Sequence, residues 1–351
     1  MLKHRKSIVG LDIGSSSIKA IEITQDKFDY VISAFAQVDI PNEQARRDAL
    51  ADLFRNGGFR TKRVATAVSG KSVIFRYVNM AQMTPEQMHS AVRFEADKYI
   101  PFDLDEVELD TQKLLDVPSH SENGGDEMKV LLVAAKKAIV QDQAAMLSEL
   151  GLQPVGINVD AFALGNAFEL NDIVSPGLQG TDHTVALVDI GFSKASINIL
   201  RNNVTYFARE VAMGGQDLTN AITRRFGLEP FEAEALKRDP QEQVAEVQDA
   251  VQAALDDLGN EINLSFDFFE NQFEGEVQEV LLSGGSVLLP FLEETLERTF
   301  EKRTRVWNPI EGLKVRSDNV DVEALNQYAP QLAVAVGRDV GERHRPPGEG
   351  A

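Results

Sequence analysis

Two short segments, half a chain apart, carry the same pattern. Asp12-Ile13-Gly14 and Asp189-Ile190-Gly191 each end a run of β-branched and apolar residues, pass through a turn of small residues and lead into a second apolar run. Each pattern predicts a β-hairpin. Asp189 follows Asp12 by 177 residues in a chain of 351, which is too long a repeat for a solenoid. The duplication therefore predicts two like-folded halves that face one another.

Charge and residue usage exclude several classes of function. Lys and Arg number 35 against 55 Asp and Glu, and the net charge of −20 disfavours binding to nucleic acid. The chain has no cysteine, hence no disulfide and no thiolate site, and its five histidines are never at the spacing of a metal site. The longest apolar run, residues 130–135, is far shorter than a membrane span. We expect a cytoplasmic protein.

The negative charge is concentrated in one region. Residues 228–279 contain 15 acidic and 2 basic side chains. Apolar residues between Val244 and Leu258 recur at helical spacing, so the region predicts amphipathic helices with a solvated acidic face. Residues 34–150 instead mix helix and strand signals. Among them is a capping box at Thr84-Pro85-Glu86-Gln87, which opens a helix that must end before Pro101.

The two hairpin turns carry the strongest chemical signal. Turns of Gly and Ser present backbone N–H groups and hydroxyls into one concavity, which suits phosphate oxygens. Asp12 and Asp189 end the first strand of each hairpin, where a carboxylate can hold a hydrated Mg²⁺. Lys19 can reach back over its turn toward a phosphate. Each turn alone can also be a simple tight connection, but the presence of both favours a polyphosphate held between them.

These motifs together resemble a known fold. Asp12 to Lys19, Asp189 to Gly191 and Ser283 to Ser286 are similar to the phosphate and adenosine motifs of the actin/Hsp70/sugar-kinase ATPases. The segment from Phe94 to Phe102, with Lys98-Tyr99-Ile100-Pro101-Phe102 at its end, resembles the PilM family of type IV pilus assembly proteins, relatives of FtsA. The resemblance implies an α/β, two-lobed actin-like fold with an FtsA-like α+β insertion in the first lobe. It also implies ATP and Mg²⁺ as cofactors.

The resemblance suggests a domain division. The predicted parts are lobe 1 (1–33 and 151–182), the α+β insertion (34–150), lobe 2 (183–214 and 280–340), the acidic helical insertion (215–279) and a disordered tail (341–351).

The resemblance also implies roles for individual residues. The first phosphate loop would consist of Gly14, Ser15, Ser16 and Lys19, and the second of Gly191 and Ser193, while Asp12 and Asp189 would bind Mg²⁺ through water. The turn that starts the second insertion would consist of Gly214, Gly215 and Asp217. The ribose would be lined by Glu234 and Lys237, and the adenine would be approached by Gly284, Gly285 and Ser286. Because Glu234 and Lys237 are three residues apart on a predicted helix, a solvent-exposed ion pair is the alternative for them.

Hydrolysis is less clearly encoded than binding. Active members of the fold use a Glu or Gln to orient the attacking water, and Asp160 is the one candidate in the matching segment. A helix N-cap is the alternative for Asp160. We therefore expect an ATP-binding protein with weak or no ATPase activity.

The resemblance implies a partner as well. The expected partners are the N-terminal cytoplasmic segment of PilN and other inner-membrane pilus assembly proteins, which would hold the chain at the membrane periphery. Tyr99, Ile100 and Phe102 follow a helix stopped by Pro101 and are candidates for a peptide groove; packing inside the insertion is the alternative. Two other functions stay open: a small-molecule kinase of the same fold and an FtsA-like division protein.

Overall fold

The computed structural model describes residues 6–26, 29–117, 126–174, 183–273 and 275–337. The tail predicted for 341–351 lies outside them. The strands are β1 (Lys6–Ile13), β2 (Ser17–Asp26), β3 (Asp29–Asp39), β4 (Arg63–Val68), β5 (Val73–Ala81), β6 (Val107–Val117), β7 (Glu127–Lys136), β8 (Gln153–Val159), β9 (Thr184–Ile190), β10 (Ala195–Arg201), β11 (Val204–Val211), β12 (Glu279–Ser283), β13 (Arg303–Val306) and β14 (Lys314–Val315). The helices are α1 (Arg46–Asn56), α2 (Pro85–Ala96), α3 (Lys137–Glu149), α4 (Asp160–Val174), α5 (Gly215–Phe226), α6 (Pro230–Arg238), α7 (Val244–Phe273), α8 (Leu292–Phe300), α9 (Val322–Tyr328) and α10 (Ala333–Val336).

Two large mixed sheets share one topology. The first has the order β14-β3-β2-β1-β4-β8 and the second β11-β10-β9-β12-β13. In each, a hairpin extends on one side to a third antiparallel strand and on the other side to two parallel strands. The prediction of two like-folded halves is confirmed, because β1 and β9 occupy equivalent central positions.

Helices between the sheets join the halves. Leu164 and Ala167 of α4, with Val334 of α10, pack in one core with Ile21 of the first sheet and Leu187 of the second. On the outer face of the first sheet, α1 and α3 bury apolar side chains against β1. The long helix α7 covers the second sheet in the same way. Each sheet is thus buried on both faces, as its near-continuous apolar strands require.

The predicted insertion at 34–150 is wrong in its extent. β3 pairs with β2 over nearly its whole length, and β4 pairs with β1, so both strands belong to the first sheet. A separate three-stranded sheet, β5-β7-β6, carries α2 and spans residues 73–136. Local alternation predicts a strand but not the sheet it joins, because long-range hydrogen bonding decides that. The capping box of Thr84 and Gln87 opens α2 as predicted.

The three-stranded sheet docks on the second half of the molecule. The Tyr77 ring stacks on Phe207 of β11 at a centroid distance of 5.6 Å. The Tyr77 hydroxyl accepts from the Ala208 amide at 2.6 Å, and burial raises its pKa. The Tyr206 hydroxyl donates to the carbonyl of Leu114 in β6 at 3.2 Å. This sheet is inserted into the first half of the sequence yet shares a core with β9, β10 and β11.

Within the described ranges, no helix combines the length and apolar character needed to cross a membrane.

Candidate functional site

A cleft between the two halves is lined by seven of the predicted site residues. Its lining comes from both large sheets and from the helices beside them. The lining residues are Ser16, Ser17, Lys19, Gln37, Asp39, Gly191, Phe192, Glu234, Lys237, Arg238, Gly285, Ser286, Leu288, Leu289, Gln327, Tyr328 and Gln331.

The first hairpin places three polar side chains in a row. Asp12 lies opposite Lys19 in the register of β1 and β2, and Lys19 lies opposite Gln37 in that of β2 and β3. The Lys19 ammonium donates to Asp12 Oδ2 at 3.3 Å. Gly14 closes the turn through its amide, which donates to the Ser17 carbonyl at 3.0 Å. The exposed Ser15 and the partly buried Ser16 lie in this turn.

Asp189 ends the equivalent strand of the second hairpin. The hydroxyl of Ser283, in the neighbouring strand β12, donates to Asp189 Oδ2 at 2.9 Å. Burial, and after it the charge of Asp12, raises the pKa of the Asp189 carboxyl from 3.8 to about 6. The fold therefore brings the two predicted metal-facing carboxylates within electrostatic reach of each other. Among the residues that the structure describes, no group of three or more His, Cys, Asp and Glu side chains could hold a metal ion.

The Gly214-Gly215 turn is joined to the second hairpin turn. The Gly215 amide donates to the Gly191 carbonyl at 2.9 Å. A Cβ on Gly214 would lie 2.6 Å from the same carbonyl, so no side chain fits there. Asp217 accepts the Gly214 amide at 2.8 Å and thereby caps α5. The exposed Ser193 lies in the hairpin turn.

Lys237 is buried and its partner Glu234 is partly buried, so the solvent-exposed alternative is wrong. Lys237 is 6% exposed. Its ammonium donates to Glu234 Oε2 at 2.5 Å, to Thr219 Oγ1 at 2.8 Å and to the Gly215 carbonyl at 2.9 Å. Burial lowers the pKa of Lys237. Burial alone would raise the pKa of Glu234, but Lys237 and its other donors outweigh it and the pKa is lowered. Packing of α6 against α5, which the sequence does not display, buries the pair.

Gly284 turns the chain from β12 into the cleft. Its φ of +97° is in the left-handed region, and a Cβ would contact the Ile190 carbonyl. The next two residues, Gly285 and Ser286, line the cleft. The Ser286 hydroxyl donates to the Gly191 carbonyl at 3.3 Å. The predicted third loop is therefore in contact with the second hairpin turn.

Asp160 is engaged in an ion-pair network. It is the first residue of α4, and its Oδ2 accepts from Lys194 at 3.0 Å. Lys194, in the second hairpin turn, also donates to Glu210 Oε1 at 2.7 Å, and Glu210 Oε2 accepts the Gly70 amide at 2.7 Å. Burial would lower the pKa of Lys194, but the two carboxylates outweigh burial and raise it. Sequence reasoning missed Lys194 and Glu210; a lysine in the second phosphate turn was the available signal.

Three further residues that sequence reasoning missed line the cleft. Gln37 Oε1 is buried and has no hydrogen-bond partner. Arg238 donates through Nη1 to Asp39 Oδ2 at 2.8 Å, which joins α6 to β3. Arg238 also bonds Glu234.

The candidate partner residues lie outside the cleft lining. Ile100 is only 6% exposed and packs with Val92 against the three-stranded sheet, which favours the alternative of packing inside the insertion. Phe102 is partly buried beneath Lys136, whose Nζ lies 4.3 Å from the ring centroid. Tyr99 is 39% exposed, and Phe94 on α2 is 81% exposed. The exposed aromatic surface at this end of α2 therefore consists of Phe94 and Tyr99.

Comparisons with known proteins agree with this geometry. A family model described as type IV pilus assembly protein PilM matches residues 10–340. A chain of a solved PilM-PilN type IV pilus biogenesis complex is similar at 28% identity with a TM-score of 0.82, covering 97% of this chain and 100% of that one.

More distant structures share the fold. The ethanolamine utilization protein EutJ from Carboxydothermus hydrogenoformans has 14% identity and a TM-score of 0.53, over 96% of this chain and 90% of that one. MreB 5 of Spiroplasma citri, solved with AMPPNP, has 10% identity and a TM-score of 0.50, over 97% of both chains. The predicted two-lobed, actin-like α/β fold is confirmed.

Proposed function

This chain belongs to the family of the type IV pilus assembly protein PilM, and from that premise we propose that it is an actin-like, ATP-binding component of a pilus assembly complex. Membership of this family favours pilus assembly over the small-molecule kinase and the FtsA-like division protein. We propose that it acts at the cytoplasmic face of the inner membrane and that a partner protein would recruit it there.

One observation carries the nucleotide proposal: two like hairpin turns, from the two halves of the chain, meet at one cleft. Buried cations line it, since Lys19 is 9% and Lys237 6% exposed. Gln37 Oε1 is a buried acceptor without a partner in the same lining. Buried cations attract an anion, and a buried acceptor without a partner can accept a hydrogen bond from a ligand that donates one. A nucleoside triphosphate offers both, so the residues fit the group.

The residues divide by what they would hold. Ser15, Ser16 and Ser193, with Lys19, would hold phosphates. Glu234 would meet the ribose, and the Gly284-Gly285 turn would admit the adenine. Asp12 and Asp189 would orient the waters of a Mg²⁺, a cation that usually keeps several of its waters.

We propose binding with little turnover. Asp160, the one candidate for orienting water, already accepts a hydrogen bond from Lys194. The same Lys194 ammonium donates to Glu210, so the Asp160 carboxylate belongs to a network that a water-orienting role would have to break. We expect a rate far below the ~10 s⁻¹ typical of enzymes. Turnover near that rate with a small-molecule acceptor would favour the kinase instead.

Calorimetry with Mg-ATP tests the nucleotide proposal. Asp12→Ala and Gly284→Arg should each weaken binding strongly, because one removes a metal-facing carboxylate and the other fills the adenine turn. Asp249→Ala, on the exposed face of α7, is the control and should leave binding unchanged. Unchanged affinity in both cleft variants would contradict the proposal.

We propose PilN as the partner. The similar chain was solved in a PilM-PilN complex. By resemblance to the family, the N-terminal cytoplasmic segment of PilN would bind between the first lobe and the three-stranded sheet. Exposed Phe94 and Tyr99 support this location, because aromatic anchors dominate many interfaces. A labelled PilN N-terminal peptide should lose affinity for Phe94→Ser and Tyr99→Ser. Phe231→Ser, which alters an exposed aromatic on α6, is the matched control.

We further propose a physical link between the two sites. Glu210 bridges Lys194 of the second phosphate turn and the Gly70 amide, which precedes β5. A nucleotide that shifts Lys194 would therefore shift the entry to the three-stranded sheet. In Glu210→Gln, PilN peptide affinity should depend less on ATP than in the wild type. An unchanged dependence would remove Glu210 from the link.

A further inference from the structure

The outward face of α7 combines acidic and apolar side chains. Its inward face is buried from Val247 to Phe273 against the second sheet. On the opposite side, Leu264 is 53% and Phe268 45% exposed. These two residues are four apart and therefore neighbours on one helix surface. A single exposed apolar residue is ordinary, whereas an adjacent pair on a charged helix is not what solvation alone requires.

Leu264 lines a groove of about 560 Å³, and Phe268 lies about one helical turn further along α7. The walls of the groove include Met213, Asp257, Glu261, Leu264 and Asp267. The four that belong to α7 follow the 3.6-residue period of the helix, so they form one stripe.

Neighbouring residues hold the stripe in place. The Phe268 ring lies 5.4 Å from that of Phe207 and 6.2 Å from that of Tyr77. Arg209 fixes Glu261 through a hydrogen bond of 3.0 Å and donates to Ser265. The apolar anchors are thus presented on a rigid helix, which lowers the ordering cost of binding a partner.

Acidic side chains outnumber basic ones on this face, where Arg209 pairs with Glu261 and Lys302 with Glu270. Residues 244–273 include seven acidic and no basic side chains. Anionic lipid headgroups would be repelled by this face. A second copy of this chain, with a net charge of −20, would bring the same acidic stripe against itself in a symmetric dimer.

We propose that this groove binds a cationic amphipathic segment of a partner protein, with an apolar side chain against Leu264 and Phe268 and Lys or Arg beside Asp257 and Asp267. The proposal concerns a surface apart from the nucleotide cleft and does not depend on ATP binding. Met213 nevertheless directly precedes the Gly214-Gly215 turn, so an occupant of the groove touches a residue next to the cleft.

The test uses a defined probe. A labelled synthetic peptide with Leu on one helical face and Lys on the other is titrated with the full chain by fluorescence anisotropy. A scrambled peptide of equal composition controls for charge alone. Glu246→Lys is the matched protein control, because it makes the same charge change on α7 about 16 Å from Asp257. Unchanged thermal unfolding of every variant confirms that it is folded.

We expect the amphipathic peptide to bind and the scrambled one to bind at least about tenfold more weakly, a loss of ~1.4 kcal/mol. Leu264→Ser and Asp257→Lys should each weaken binding about tenfold, and Glu246→Lys less than about twofold. Equal losses for Asp257→Lys and Glu246→Lys, equal binding of the two peptides, or no effect of Leu264→Ser would each overturn the proposal. A dimer in sedimentation that Leu264→Ser dissociates would also overturn it, since a second copy would then be the occupant.

Discussion

The guanidinium of Arg238 donates to the carboxylate of Asp39 at 2.8 Å, although 199 residues separate the two in sequence. Asp39 ends β3 of the first half, and Arg238 ends α6 of the second. Both line the cleft. The pair therefore connects the two halves directly at the proposed nucleotide site, and opening the cleft would break it.

Breaking this pair should speed nucleotide release. Both side chains are about half exposed, and exposed ion pairs contribute ~0.2–1 kcal/mol, so Asp39→Asn should release a fluorescent ATP analogue about two- to fivefold faster. Stopped-flow displacement measures the rate. Arg225→Ala, which removes an exposed ion pair with Asp249 on α7, should leave the rate unchanged. If Asp39→Asn and Arg238→Gln have additive effects in the double variant, the two residues act independently and the prediction is wrong.

Neutralising Asp12 and Asp189, the aspartates of the two hairpins, should change stability in opposite directions. Since burial and Asp12 raise the pKa of Asp189 to about 6, ionising this carboxyl costs more in the folded protein than in the unfolded chain, and this cost is present at pH 7, above both pKa values. At pH 7 in EDTA, Asp189→Asn should raise the free energy of unfolding by about 2 kcal/mol. Asp12→Asn removes the partner of Lys19 and should lower it. Urea denaturation measures both, and stabilisation by neither variant would contradict the expected cost of burying the Asp189 charge.

The ion pair of Glu234 with the buried Lys237 should behave as a unit. Lys237→Met leaves Glu234 and the Gly215 carbonyl without their common donor, so we expect a loss of about 3 kcal/mol in the free energy of unfolding. Glu234→Gln combined with Lys237→Met should cost less than Lys237→Met alone, because it also removes the partly buried Glu234 charge, which would otherwise keep only Arg238 and Thr219 as donors. Thermal and denaturant unfolding of the single and double variants would measure these differences in the free energy of unfolding. A double variant less stable than Lys237→Met would show that the pair does not couple in this way.

Tyr77 should hold the three-stranded sheet on the second half. Tyr77→Phe leaves the buried Ala208 amide without its acceptor and should cost about 1–2 kcal/mol. Tyr77→Ala also removes the ring stacked on Phe207 and should cost about 3–5 kcal/mol. Hydrogen exchange should show β5 opening more readily in both variants, ahead of the second sheet. Tyr99→Phe, which alters an exposed ring, is the control. Equal protection of β5 in wild type and Tyr77→Ala would refute this role.

Local signals in the sequence were enough to predict the two hairpins and the turns that close them. The β-branched runs before Asp12 and Asp189, followed by Gly and Ser, determine strand and turn through short-range sterics and hydrogen bonding. Their repetition predicted two like halves, and the shared strand order of the two sheets confirms it. The capping box at Thr84 was readable for the same local reason.

What the sequence could not decide depended on contacts between distant segments. β3 and β4 were assigned to the insertion because alternation predicts a strand without naming its neighbour. Lys237 is buried because α5 packs beside α6, and Ile100 is buried because α2 packs on its sheet.

The sequence by itself thus determined which segments become strands, helices and small-residue turns, since these depend on residues a few positions apart. Only the tertiary structure decided that Arg238 meets Asp39, that Glu210 meets Gly70 and that Tyr77 meets Ala208. Each of these contacts joins residues more than 100 positions apart. They form because both faces of each large sheet must be buried, and this decides where elements distant in sequence pack. The need for such packing cannot be recognised from residues a few positions apart.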